Sequence, residues 1–522
     1  MRKFVVVHLL LFVVTLLVSG QPWPYGLLVV AQLFYIPVLL RMVCTERGWF
    51  WKYYPFVAIP AYASVILGQV VDWAGSFAVL YLLFTVYIAL YGVTRFLRRG
   101  FTHLEEFAID LGLIYVAMGG VWYFAFATGI DLGFSPLLTW LTAIHFHYSA
   151  VILPVFIGWL GRLHPSRAYR FATVALLASP MIVAVGITFS RWIEVVSVFL
   201  YMYGFAVIIW LVWRTSFANS LQKWLLRFSF SALAVTISFS LLYVLSNGFG
   251  LITVTIDFML RFHGVLNCVV FAGVGLLGWS LRVPPAHTEP PFPISTVRGR
   301  RVAREIGEIG RHVGLSDDLT VYGLSSATVS PTILRFYEQT NDFRLYAAVF
   351  WRSWFKPFAF VYSLFSRRTQ QINLPLCSEE VEMTGAIYTL REGLDGRENV
   401  RIWERNIGEQ TIFTALYSQH ETNGRVYMNI ALPLPFSTMT GVLELQAVDG
   451  GLRLTSERTD SMSDAGVYLS FSDRGACKLP LRETFFIEEV EDGALRATHH
   501  MWIGPLPFLT INYSIVANSK RE

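Results

Sequence analysis

The chain has 522 residues, of which 54% are hydrophobic and 16% aromatic but only 15% charged, with a formal net charge of +5. Residues 1–283 are a series of apolar runs and residues 284–522 read as a water-facing polypeptide, which excludes a single soluble domain. No basic stretch has the form of a nucleic-acid-binding face, which excludes nucleic acid as a partner. The four cysteines, Cys44, Cys268, Cys377 and Cys477, lack the C-x-x-C spacing of a zinc finger and give no disulfide framework.

Taken from the N-terminus, Arg2 and Lys3 precede an apolar run that ends in Val18-Ser19-Gly20, a sequence with signal-peptide features. Further apolar runs follow at once, and a retained first helix is expected. Ten segments approach the ~20 residues a helix needs to cross a bilayer. They lie at 4–20, 24–42, 54–71, 76–94, 106–128, 137–160, 171–189, 193–213, 228–246 and 255–281. With a cytoplasmic N-terminus, the inner side holds Arg2, Lys3, Arg41, Arg47, Lys52, Arg95, Arg98, Arg99, Arg162, Arg167, Arg170, Arg214, Lys223 and Arg227. The outer side holds Arg191 alone, beside the acidic Asp72, Asp131 and Glu194. Positive charge collects on the cytoplasmic face of membrane proteins, so the alternation predicts ten spans with both termini inside.

Polar groups within such spans are costly and mark function. His145 and His147 lie eight to ten residues into the sixth span and His263 eight residues into the tenth. At 1.5 Å per residue all three fall at a depth of ~12–15 Å, near the midplane. Gln32 in the second span shares that level, Asn267 follows His263 by one turn, and Asp257 and Arg261 flank the site. Residues two apart on a helix point about 200° from each other, so His145 and His147 are not expected to serve one metal ion. Pro154 places a kink nearer Ala150 than the histidines. His145, sharing its face with Thr142, Tyr148 and Ser149, is the expected partner of His263, and these two are the candidate metal ligands. The competing reading is that the histidines are interhelical hydrogen-bond partners. Glu105, Glu106 and Asp110 read as charge complements to a helix N-terminus.

Beyond Arg282 a Pro-rich linker (284–295) is followed by a region (296–379) expected to lie on the membrane surface. Its first part, 297–314, reads as an amphipathic helix presenting Arg298, Arg300 and Arg301 to lipid headgroups, with a solvated helix as the alternative. Its second part, 343–368, reads as an interfacial segment with Trp351, Trp354 and Phe355 at headgroup depth, or else a helix packed on the domain that follows. Residues 380–517 alternate apolar and polar positions between turn signals, including Asn423-Gly424 and Asp449-Gly450, and predict an antiparallel sheet, curled or sandwiched, with a filled core or, as the alternative, an enclosed apolar ligand. His499 and His500 fall on a strand and point to opposite faces.

The strings LTAIHFHYSAVILPVFIGWLGR and FHGVLN, with RFYEQT, WFKPFAFVY, LDGRENVRIW and THHMWIGPLPFLTINY in the second half, resemble the YndJ-like family of bacterial integral membrane proteins. The resemblance covers nearly the whole chain. It implies a bacterial plasma-membrane protein and carries over no catalytic residues.

The expected architecture is a polytopic α-helical membrane bundle (1–283) followed by a cytoplasmic β-rich, α+β domain (380–522). The expected function is non-enzymatic. A midplane polar site binds or passes a small solute, a lipid-like molecule or a proton, and the cytoplasmic domain binds a protein partner or ligand. A membrane-embedded metal- or haem-dependent enzyme and a scaffold recruiting a soluble partner are the alternatives. No cofactor is identified.

Overall fold

The computed structural model describes residues 2–45, 48–249, 253–286, 292–299, 307–309, 313–369, 371–391, 393–460, 462–472, 475–491 and 493–518. The chain divides into two compact units, 1–96 with 103–288, and 97–102 with 289–522.

The first unit is helical. Hydrocarbon offers no water to backbone groups, so a spanning segment closes its own hydrogen bonds as a helix. Among the described residues nine helices are long and apolar enough to cross a membrane. They are α2 (Trp23–Val43), α3 (Trp49–Val70), α4 (Gly75–Arg99), α5 (Leu104–Thr128), α6 (Pro136–Leu163), α7 (Arg167–Gly186), α8 (Val195–Arg214), α9 (Ser220–Ser246) and α10 (Ile256–Leu281). Before them lies a further apolar helix, α1 (Arg2–Val18), of 17 residues.

Three of these helices widen locally to i→i+5 turns: α2 over Ala31–Tyr35, α6 over Tyr148–Ile152, and α10 over Met259–Gly264 and Leu266–Val274. Proline accounts for two of them. Pro37 has no N–H for the carbonyl of Leu33, and Pro154 none for that of Ala150. Each wide turn contains the carbonyl so deprived. Nothing in the sequence of α10, which lacks proline, explains its wide turns. Side chains of neighbouring helices reach into these turns. His8 Nδ1–H donates to Leu33 O (2.8 Å), the Tyr35 hydroxyl to Cys268 O (2.9 Å) and the Ser229 hydroxyl to Phe271 O (2.7 Å).

Helices α4, α5 and α6 approach closely through glycine. A Cβ at Gly158 of α6 would lie 2.5 Å from both Glu105 O and Ile109 Cγ1 of α5, and one at Gly92 of α4 would lie 2.9 Å from Asp110 O. Without a hydrophobic driving force between helices in lipid, such backbone proximity supplies the van der Waals contact. Gly158→Val should therefore separate α5 from α6 and cost about 1–3 kcal/mol. Thermal unfolding of detergent-purified protein, read by the reactivity of the buried thiols Cys44 and Cys268, should show a lower midpoint; an unchanged midpoint contradicts the packing.

The second unit is an antiparallel β-barrel. Its strands are β1 (Gly307–Ile309), β2 (Phe343–Trp351), β3 (Val381–Leu390), β4 (Arg401–Ile407), β5 (Gln410–Thr422), β6 (Arg425–Pro433), β7 (Thr438–Val448), β8 (Gly451–Thr455), β9 (Gly466–Ser472), β10 (Gly475–Lys478), β11 (Leu481–Glu491), β12 (Ala494–Ile503) and β13 (Leu506–Ala517). They run in the order β10-β9-β7-β6-β5-β4-β3-β2-β13-β12-β11-β8, with β1 beside β3. Closure comes from β7: its first half pairs with β9 (Thr438↔Ser470) and its second half with β8 (Glu444↔Thr455). Asn423 (φ 54°) with Gly424 (φ 75°), and Asp449 (φ 50°) with Gly450 (φ 79°), make the left-handed pairs that a two-residue hairpin demands.

Alternate residues point inward. Leu345, Val349, Met383, Ile387, Leu443 and Ile511 form part of the core, joined by Ile333, Phe336 and Tyr337 from α11 (Pro331–Glu338). His499 faces Glu483 (3.0 Å) and stacks on Phe485, whereas His500 is exposed and meets the Thr510 hydroxyl.

The structure departs from the sequence reading before residue 380. The segment 343–351 is the barrel strand β2, not an interfacial helix, paired with β13 (Ile511↔Val349) and β3. Only its continuation is helical, α12 (Lys356–Thr369). Gly307–Ile309 is a strand, not part of an amphipathic helix. Arg300, Arg301 and residues 287–291 of the linker lie outside the described residues. The end of the linker is packed on the second unit: Phe292 is buried against Tyr468, and the Ser295 hydroxyl bonds the buried Asp395 carboxylate, which also holds Arg397 (2.5 Å).

Candidate functional site

The structure divides the seven expected midplane residues into three groups. The first joins α6 to α10. The rings of His145 and His263 lie 6.4 Å apart between centroids. Both imidazoles are fixed in one tautomer. His145 Nδ1–H donates to Leu141 O (2.7 Å) and His263 Nδ1–H to Thr236 O of α9 (3.0 Å), because a carbonyl only accepts. The Nε2 atoms are therefore lone-pair acceptors. That of His263 receives Nδ2–H of Asn267 (3.2 Å), whereas that of His145, on an exposed ring, has no hydrogen-bond partner among the described residues. Both α10 residues lie in wide turns, and His145 lies just before the wide turn of α6. Wide turns are rare in helices and recur at functional sites.

The second group lies on the opposite face of α6. His147 is fully buried, its Nδ1–H held by Ala143 O (2.8 Å) and its Nε2 by the Tyr81 hydroxyl of α4 (2.8 Å), so Tyr81 is the donor. Gly119 of α5 makes the space, since a Cβ there would fall 2.8 Å from the His147 ring. Gln32 belongs here and not beside His263. It is fully buried within reach of the Tyr81 hydroxyl, and neither of its amide atoms makes a well-formed hydrogen bond. The third group is Asp257 and Arg261, an exposed ion pair (2.8 Å) one turn apart on α10.

As to metal, the described residues contain no cluster of three or more His, Cys, Asp and Glu side chains able to hold an ion. His145 and His263 supply two imidazoles, and zinc sites take three or four protein ligands.

Sequence reasoning missed the strongest charge cluster in this unit. Arg95 of α4 binds Asp110 (2.7 Å) and Glu106 (3.1 Å) of α5, and Arg162 of α6 binds Glu106 through two nitrogens (2.7 and 2.9 Å) and Pro284 O (2.9 Å). Glu106 and Asp110 are each 1% exposed. They are thus counter-ions of buried arginines, and Glu106, with Glu105 in the first turn of α5, also stands at the helix N-terminus as the sequence reading expects. The available signal was their position: the α4–α5 hairpin brings Arg95 level with Glu106 and Asp110.

The membrane-surface candidates also sort by geometry. Trp351 and Phe355 stack on each other, with Phe355 against Phe508, so both pack on the barrel and not outward. Arg298 donates to Ser295 O, Val297 O and the Thr438 hydroxyl. Trp354 is exposed, its indole N–H bonded to Pro507 O (2.9 Å).

The family model for YndJ-like proteins matches residues 26–271, the span of α2 to most of α10 and every midplane residue above. The chain is 39% identical over 479 residues to the uncharacterized membrane protein YndJ of Bacillus subtilis (strain 168), covering 87% of this chain and 86% of that protein. The chain belongs to the YndJ-like family. As a member of that family it is a membrane protein with several helices able to span a bilayer. No solved structure matches it.

Two substitutions separate the histidine faces. Tyr81→Phe removes the only hydrogen-bond donor to His147 Nε2 among the described residues and should cost about 0.6–1.7 kcal/mol; His145→Ala should change stability by less than about 0.5 kcal/mol. Equal losses of thermal stability contradict the division. Arg95→Met removes a cation from two buried carboxylates, Asp110 and Glu106, of which Glu106 keeps Arg162, and should cost about 3–5 kcal/mol, seen as a sharp drop in folded protein recovered from membranes.

Proposed function

We propose that this YndJ-like protein binds or passes a small hydrogen-bonding solute, a lipid-like molecule or a proton at a site formed by His145, His263 and Asn267. The observation that carries the reading is the approach of two imidazoles from α6 and α10, with no partner for Nε2 of His145 among the described residues. A neutral imidazole with a free Nε2 accepts a proton or a donor group from a ligand, while its Nδ1–H stays tied to Leu141 O. His263 is held by Asn267, so it orients and His145 receives. Histidine titrates nearest neutrality of all side chains, which suits it to such exchange. Gln32, His147 and Tyr81 form the buried strut on the other side of α6, and Asp257 and Arg261 stand nearer the start of α10.

The protein is placed in the bacterial plasma membrane with α1 to α10 as ten spans and both termini in the cytoplasm, on the strength of the alternating Arg and Lys residues. The barrel is then cytoplasmic and is the part that meets a soluble protein partner.

Reconstitution into liposomes with an entrapped pH indicator tests the site. Wild-type protein should relax an imposed proton gradient, with or without an added solute, at least tenfold faster than the His145→Ala/His263→Ala variant, while the variant reaches the membrane within twofold of wild-type abundance. Equal rates, or loss of the variant from the membrane, favour a purely structural role for the histidines.

A further inference from the structure

Helix α12 (Lys356–Thr369) is built the wrong way round for a helix on a water-soluble barrel. A surface helix ordinarily turns its apolar stripe to the core and its polar face to solvent. Here the buried residues are the small Ala359, Ser363 and Ser366, with the Ser366 hydroxyl on Asn373 Oδ1 (3.1 Å). The residues turned outward are Phe358, Phe360, Val361, Leu364 and Phe365, each 54–62% exposed. At 3.6 residues per turn these five cover an arc of about 160°. Exposed Trp354 extends the face at its N-terminal end. A contiguous apolar patch of this kind marks an interaction site.

Charge identifies the occupant. From Phe343 to Ser378 the chain contains Arg344, Arg352, Lys356, Arg367 and Arg368 and no acidic residue. Arg352, Lys356, Arg367 and Arg368 bracket the two ends of the helix, and none of the four forms an ion pair among the described residues. An apolar face rimmed by unpaired cations fits the boundary between acyl chains and anionic headgroups, where a helix lies in the plane of the membrane. A protein groove would be expected to leave some acidic complement near so basic a rim.

We infer that α12 docks the barrel onto an anionic bilayer surface, with Phe358, Phe360, Val361, Leu364 and Phe365 in the acyl region and the flanking cations at the headgroups. The helix is about 21 Å long, so it lies along the surface and does not cross. The contact face differs from the Trp351 and Phe355 expected from the sequence, which are committed to the barrel.

The test uses the full-length protein in lipid nanodiscs. In a Cys377→Ser background the remaining thiols, Cys44, Cys268 and Cys477, are buried. An environment-sensitive fluorophore is placed through Phe365→Cys, through Val361→Cys, or through Glu409→Cys at an exposed barrel turn. Nitroxides on the acyl chains of phosphatidylglycerol-containing discs should lower emission at 361 and 365 at least twofold more than at 409. Replacing phosphatidylglycerol with phosphatidylcholine should at least halve that quenching. Emission at 361 and 365 that nitroxide lipid leaves unchanged overturns the inference: water-like emission means a free face, and shielded emission means that protein, from this chain or a second copy, covers it. Equal quenching in neutral discs overturns the role assigned to the cations.

Discussion

The first unit is governed by the requirement that every backbone polar group in apolar surroundings find a partner. An uninterrupted helix meets it automatically. The wide turns of α2, α6 and α10 do not, and side chains from neighbouring helices complete those of α2 and α10. His8 supplies to Leu33 O the donor that Pro37 lacks. Tyr35 and Ser229 reach carbonyls inside the wide turns of α10. Each completed turn is also a tie between helices, so the irregular places in the backbone are where α1, α2, α9 and α10 are joined. In hydrocarbon, where apolar side chains gain nothing by leaving lipid for protein, such ties and close glycine contacts replace the hydrophobic effect as the source of specificity.

The same requirement explains why the polar side chains of α6 serve opposite ends. A regular helix points residues two apart in nearly opposite directions. His147 therefore completes a buried contact to α4, while His145 faces His263 with no partner for its Nε2 among the described residues. One short string, His145-Phe146-His147, thus serves two different helix contacts. The arginines divide in the same manner. Arg95 and Arg162 carry charge of the kind that orients membrane proteins, yet they are spent on Glu106 and Asp110, and together they tie α4, α5 and α6.

Much of this was legible in the sequence, and the parts that were not share causes. Apolar length fixed the order of the helices, depth counting paired His145 with His263, and helical spacing separated His147 from them. Tyr81 went unnoticed because a tyrosine in an apolar run reads as bulk until its hydroxyl is seen to meet His147. Depth alone puts Gln32 level with all three histidines and says nothing of its rotation, so the sequence does not show that it lies within reach of Tyr81. In the second unit the alternating strands β6–β9 and β11–β13 were read directly. Strand β5 was not, because Ile412 to Tyr417 are buried on both faces and the polar alternation vanishes. Strand β2 reads together with α12 as one interfacial segment for a different reason: its burial alternates, but Tyr346, Ala348 and Phe350 on its outer face are apolar or aromatic, so the sequence does not display the alternation.

The ties at the wide turns have a consequence for biosynthesis. In each of the three described, the donor precedes the carbonyl in the chain: His8 before Leu33, Tyr35 before Cys268, Ser229 before Phe271. A ribosome delivers the chain from its N-terminus, so each irregular turn enters the membrane after the side chain that will complete it. The carbonyls of α10, the last helix of the bundle to be made, meet hydroxyls already waiting in lipid, and at no stage of synthesis does one of these turns emerge ahead of its partner.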